Sequence, residues 1–279
     1  MIEIKNLDFY YKKNRLVLKD INLSILEGRI VGVLGKNGVG KTTLLHLISG
    51  LLFPRSGSIV IDDRMPQNRQ TALLQEVFLL PEEMPETNLS IDQFEKINSV
   101  FYPKFSKDQF HTYLSEFEIT DTKQHIGKLS LGTKKKVFIA FALACNTKYL
   151  LMDEPTNGLD IPTKSCLRKM LRKSMNENKL VMISTHQARD LQNILDSIII
   201  IDQTSILLDK NSEEITQKLY FGIETGEEKP EEILYKEPSI AGNQIVRLNT
   251  EGEESNLDVE LLFNAAFESK DLFKQIFNK

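Results

Sequence analysis

The sequence has 279 residues, 41% of them hydrophobic and 27% charged, with a net charge of −4. That length and apolar content allow one large domain, or one with an appendage, around a buried core. The acidic balance argues against a general nucleic-acid binder, which carries a basic excess to neutralise phosphates.

The N-terminus lacks an apolar signal-peptide core, and the apolar runs at 137–145 and 198–201 fall far short of the ~18 residues a membrane span needs. A cytoplasmic location is expected, with any membrane part supplied by another polypeptide. Cys145 and Cys166 have no metal-binding spacing, and free thiols are expected over a disulfide.

In chain order, residues 2–25 alternate in a β-rich manner, 27–28 form a turn and 30–34 a buried strand. A glycine-rich loop follows, then a helix over 42–49. Further strands are expected at 58–61 and 77–80. Residues 91–117 are helical and aromatic-rich, with Phe94, Phe101, Tyr102, Phe105, Phe110, Tyr113 and Phe117, and Pro103 interrupts them. This reads as a helical insert whose aromatics form its own core. The pattern continues with helices at 131–146, 162–175 and 187–195, and with strands at 149–152, 180–184 and 197–201. Continuous apolar strands alternating with helices imply a mostly parallel sheet covered on both faces. After residue 210 the character changes. An acidic linker at 226–232 is followed by short strands at 233–235 and 244–248 and helices at 259–267 and 271–277, a small α+β appendage.

Two motifs carry chemistry. Gly35-Lys36-Asn37-Gly38-Val39-Gly40-Lys41-Thr42-Thr43 fits the pattern GxxxxGK[ST] and sits between a strand and a helix. Its glycines let successive N–H groups wrap phosphate oxygens, and the helix start adds a positive dipole end. Lys41 suits the β- and γ-phosphates of ATP, and the Thr42 hydroxyl suits Mg²⁺. The bland reading is a glycine turn beside a coincidental lysine. Leu150-Leu151-Met152-Asp153-Glu154 ends an apolar strand in two carboxylates. Asp153 suits the metal and Glu154 a general base for the attacking water. Capping alone would explain Asp-Glu at a strand end without the phosphate loop.

With these motifs in place, residues 1–209 resemble the ATP-binding subunits of ABC transporters. The resemblance implies an α/β P-loop NTPase fold: a mostly parallel core sheet, an antiparallel β subdomain and a helical insert at about 84–146. The appendage at 210–279 lies outside it. Tyr11 falls where the family stacks an aromatic on adenine, with Tyr10 as the fallback and an ordinary edge-strand aromatic as the plain alternative. Leu129-Ser130-Leu131-Gly132-Thr133 occupies the place of the LSGGQ signature. Ser130 and the amides near Gly132 are thereby implied to contact the γ-phosphate held by a second subunit, and Ser130 also fits simple N-capping. Asn157-Gly158-Leu159-Asp160 resembles the D-loop, and His186 the switch histidine.

Two positions depart from the family. Leu131 replaces a signature glycine and must keep an ordinary L-residue backbone. Glu82 stands where the family has glutamine at the metal, adding an anion near the phosphates. The resemblance implies an ATPase that dimerises on ATP, with an identical or related second ATPase subunit and a separate integral-membrane permease. It places the chain at the inner face of the cell membrane. An ABC-type ATPase uncoupled from transport and a nucleotide-gated scaffold are the alternatives, and no nucleic-acid partner is expected.

Overall fold

The computed structural model describes residues 1–12, 15–226 and 232–277. Most of the acidic stretch expected as a linker, 227–231, lies outside them. The chain opens with β1 (Ile2–Lys12), β2 (Arg15–Ile25), β3 (Arg29–Leu34) and helix α1 (Lys41–Ile48). Then come β4 (Ser56–Ile61), α2 (Thr71–Leu74) and β5 (Val77–Leu80). The insert supplies α3 (Ile91–Asn98) and α4 (Lys107–Glu116), and α5 (Leu131–Ala144) returns the chain to the core. Next are β6 (Tyr149–Asp153), α6 (Ile161–Ser174), β7 (Leu180–Thr185), β8 (Ser197–Asp202) and β9 (Ser205–Asn211). The tail is α7 (Ser212–Lys218), β10 (Leu219–Ile223), β11 (Ile233–Ser239), β12 (Gly242–Leu248), α8 (Val259–Glu268) and α9 (Lys270–Phe277).

The main sheet has the order β5-β6-β7-β3-β8-β9, parallel except for the β8–β9 pair. Its strands alternate between two apolar bodies. Ile30, Leu34, Leu150, Met152, Ile198 and Ile200 join one; Val31, Val33, Leu151, Ile199 and Ile201 join the other. Successive side chains point to opposite faces, so burial on both sides explains the unbroken apolar runs. The second body is closed by α1 and by the antiparallel sheet β2-β1-β4.

The first body continues through the insert and into the tail. The insert's aromatics form a core, but they share it with α5. Phe94, Phe105, Phe110 and Tyr102 surround Phe141 at centroid distances of 4.9, 5.1, 5.8 and 6.3 Å. A phenylalanine so placed is worth ~3–5 kcal/mol relative to alanine. Phe101 stands outside this core, 62% exposed.

The tail's own sheet, β10-β12-β11, is antiparallel, and Pro238 lies on its edge strand β11, where a missing N–H costs no ladder bond. β9, α7 and β10 carry no pattern strong enough to have been expected, and β9 runs across residue 210. The helix expected over 187–195 is absent. Two 3₁₀ turns, Ala188–Asp190 and Gln192–Ile194, stand there instead. Tertiary anchors prevail over the helical pattern: Arg168 donates to the Asp190 carbonyl at 2.8 Å, Ile30 N–H donates to the Asp196 carboxylate at 2.8 Å, and Leu191, Ile194 and Leu195 are buried. Cys145 is buried, Cys166 half-buried, and both are free. Among the described residues no helix is long and apolar enough to cross a membrane.

Candidate active site

β3 ends in the phosphate loop, and α1 begins where the loop closes. Gly40 caps α1 at φ 109°, where no L side chain sits comfortably, and a Cβ there would lie 2.9 Å from Leu18. No side chain caps α1, so its leading amides remain available to an anion. The loop lines a cavity of about 590 Å³ through Asn37, Gly38, Gly40, Lys41, Thr42 and Thr43. Gly35, Lys36 and Val39 are not on that wall. Gly35 is pressed against Val39 and the Ile201 carbonyl, so it backs the loop. The Lys36 ammonium lies 5.0 Å over the Phe267 ring and turns toward the tail, leaving only its backbone to meet a phosphate.

The same cavity gathers Tyr11, Glu82, Glu154 and His186. Tyr11, and not Tyr10, lines it. The Tyr11 hydroxyl is 3.1 Å from Thr43 Oγ1, its ring meets Phe9 edge-on at 5.0 Å, and it is 56% exposed. Tyr10 faces Arg55 instead, with the guanidinium 5.1 Å above its ring.

β6 and β7 deliver the carboxylates and the histidine from adjacent strand ends. Thr42 Oγ1 donates to Asp153 Oδ2 at 2.7 Å, and the Ser184 hydroxyl donates to the other oxygen of the same carboxylate. Glu154 is 4% exposed and holds φ at 44°, an uncommon conformation for a side-chain-bearing residue. Its Oε1 lies 2.9 Å from His186 Nδ1 and 3.6 Å from Lys41 Nζ. Lys41 also donates to the Gly35 carbonyl at 2.8 Å. Burial pushes the Lys41 ammonium below its ordinary pKa, and the carboxylates of Glu154, Asp153 and Glu82 oppose that shift.

Thr42 and Asp153 present adjacent hard oxygens, with Glu82 on the cavity wall. Among the described residues no three His, Cys, Asp or Glu side chains cluster tightly enough to cage a metal alone. Two protein oxygens completed by water and phosphate fit Mg²⁺, which keeps most of its ligands from water and substrate.

Ser130 and Gly132 are not brought to this cavity. Ser130 is exposed at the start of α5, where its Oγ accepts from Thr133 N–H at 3.2 Å, so the capping reading holds. Leu131 is 84% exposed, and neither it nor Gly132 has a positive φ, so the leucine sits there without backbone strain. A Cβ on Gly132 would lie 3.3 Å from the Gly158 carbonyl, so the signature stretch and the Asn157–Asp160 loop touch.

Sequence reasoning missed Lys135, which binds both ends of the turn from Glu154 to Asn157, and Lys12, Arg15, Leu16, Val17 and Gln203 on the cavity wall. For Lys135 a signal existed. It is the middle of Lys134-Lys135-Lys136, and i+3 and i+4 steps put it on the face of Phe138 and Ile139, both buried. The cavity-wall residues carry no motif.

The family model described as ABC transporter matches residues 18–157. The ABC transporter ATP-binding protein YtrB of Bacillus subtilis is 31% identical over 208 residues, covering 74% of this chain and 70% of that one. The lantibiotic transport ATP-binding protein SrtF of Streptococcus pyogenes is 31% identical over 212 residues, covering 75% and 90%. Among solved structures, the ATP-binding subunit of an ABC transporter superposes with a TM-score of 0.70 at 24% identity, covering 77% of this chain and 91% of that one. An ATP-binding cassette, dimeric in a post-hydrolysis state with ADP and phosphate, gives 0.68 at 24% identity, covering 76% and 98%. On its sequence, its fold and its family match, the chain belongs to the ABC transporter family, as an ATP-binding subunit whose ATP hydrolysis powers transport.

Proposed function

We propose that ATP binds as its Mg²⁺ complex in the cavity around the phosphate loop, and that Glu154 directs its hydrolysis. The observation that carries this is the Glu154 carboxylate, buried between Lys41 Nζ and His186 Nδ1 beside the Thr42–Asp153 pair. Tyr11 stacks on the adenine, and the backbone N–H groups from Gly35 to Thr43 wrap the phosphates. Lys41 leaves its loop carbonyls for the β- and γ-phosphoryl oxygens. Thr42 and Asp153 would hold the metal, and Glu82 on the adjoining wall would add a carboxylate to it. When bound, Mg²⁺ draws charge from those phosphoryl oxygens. Glu154 accepts a proton from the water that attacks the γ-phosphorus, the bond to the ADP oxygen breaks, and ADP and phosphate result. His186 orients Glu154 and reaches the γ-phosphate. Most of the rate gain is positioning and electrostatics.

One chain carries one copy of each motif, and its Ser130 and Gly132 lie away from its own cavity. We therefore place these residues on the γ-phosphate held by a second ATPase subunit, identical or related, so that ATP closes the pair and hydrolysis reopens it. Residues 210–279 form an appendage to the ATPase domain of 1–209. The chain works in the cytoplasm, at the inner face of the membrane, against a separate integral-membrane permease.

The test is Glu154→Gln in the complex as purified from cells. Turnover falls about a hundredfold or more while ATP still binds, and ATP then accumulates in a stable dimer resolved by light scattering. Wild-type phosphate release by this variant would remove Glu154 from its role. A complex lacking any multi-span membrane protein would count against the permease assignment.

A further inference from the structure

The helix that follows the signature stretch puts a cation where the sequence shows only a basic run. Lys135 is 6% exposed on the inner face of α5. Its ammonium donates to the Glu154 carbonyl at 2.7 Å and to the Asn157 carbonyl at 3.0 Å. Asn157 N–H donates to that same Glu154 carbonyl at 3.3 Å, closing a tight turn. At its other end, Asn157 Nδ2 donates to Glu82 Oε1 at 3.2 Å, while Asn157 Oδ1 is buried without a partner. A line of contacts thus runs from α5 through the turn after β6 to the loop after β5.

Two physical consequences follow. The φ of 44° at Glu154 is a conformation that persists only where surrounding contacts impose it. The bonds from Lys135 to both ends of the turn are among those contacts, beside the Glu154 N–H bonds to Ser184. Second, a buried ammonium is costly unless it is well bonded and near opposite charge. Burial pushes Lys135 below its ordinary pKa, and Glu82, Glu154 and Asp153 pull it back, Glu82 most strongly. Glu82 is also the carboxylate that stands in place of the family's glutamine. The extra anion and the buried cation face each other across Asn157.

We propose that Lys135 is a positioning residue for ATP hydrolysis: its bonds fix the Glu154–Asn157 turn, and its charge balances Glu82 at the edge of the site. This rests on the reading of Glu154 as the proton acceptor. Lys135 touches no reacting atom. It sets where the Glu154 carboxylate points and how much negative charge the phosphates meet.

The experiment compares steady-state phosphate release, ATP affinity and melting midpoint in K135M, K135Q, K135Q/E82Q, E82Q and E154Q, each in the full chain with its partners. K135M removes both bonds and charge; its kcat falls ~30-fold while the KM for ATP stays within ~3-fold, because a small displacement of a catalytic group is amplified in the rate. K135Q keeps a donor but no charge; its kcat falls ~10-fold, and adding E82Q recovers ~5-fold of that loss, as expected for coupled neighbours.

K135M turning over within ~2-fold of wild type overturns the proposal, as does a K135Q/E82Q loss equal to the product of the two single losses. A loss confined to KM overturns it too. Should K135M melt before assay, the K135Q pair decides alone. Wild-type turnover in E154Q overturns the site reading and the positioning role with it. An inactive E154Q beside an unaffected K135M overturns the positioning role alone.

Discussion

The phosphate loop and the signature stretch are both turns that open a helix, yet the chain finishes one and leaves the other outward-facing. α1 begins on Gly40, in the left-handed region, with no side-chain cap, buried flanks and a cavity in front of its amides. α5 begins on Ser130, which satisfies Thr133 N–H itself, with an exposed leucine next to it and an ordinary backbone. The cap occupies one N–H of the α5 start, whose outer face is left to solvent. The uncapped start of α1 faces a cavity of its own chain; the capped start of α5 lies exposed, where our proposal sets a second chain.

The contrast breaks first at Lys41. Lys41→Ala should weaken ATP binding and lower phosphate release on the order of a hundredfold or more, since it removes the cation nearest the transferred group. Near-normal activity would mean that α1's amides suffice. Ser130→Ala comes next. It should cost about 1 kcal/mol of stability in urea unfolding through the lost cap. Turnover of the assembled complex should fall by about tenfold or more through the lost oxygen at the γ-phosphate, while ATP binding to the isolated chain stays unchanged. Equal losses of binding and turnover would place Ser130 in the chain's own site. Leu131→Gly is the smallest. Because the backbone there uses no positive φ, turnover should stay within ~0.5 kcal/mol of wild type, about twofold. A large gain in phosphate release would show that the leucine restrains the dimer.

The two helix starts also differ in how legible they were. The phosphate loop is contiguous, and its glycines, lysine and threonine stand at fixed spacing, so composition and order suffice. The central strands announced themselves because burial on both faces leaves runs such as Ile198–Ile201 wholly apolar. Contacts that need the third dimension were not readable. The turn of Lys36 toward Phe267 and the seat of Lys135 both depend on which neighbour the fold supplies. The segment 187–195 misled for a related reason. Its apolar spacing fits a helix, but Arg168 seizes the Asp190 carbonyl and tertiary contacts override the local pattern. β9, α7 and β10 were silent because a short edge strand and a two-turn helix carry too few residues for a period to emerge.

β3, which carries the phosphate loop, lies between β7 and β8, with Arg29 opposite Leu180 and Val31 opposite Ser197. Both neighbours are made by the ribosome long after the loop itself. The nascent chain therefore holds the whole nucleotide motif before either strand that flanks β3 exists, and β3 gains both neighbours only when residues up to Asp202 have emerged and paired. The earliest chemistry written in this sequence is among the last to be assembled.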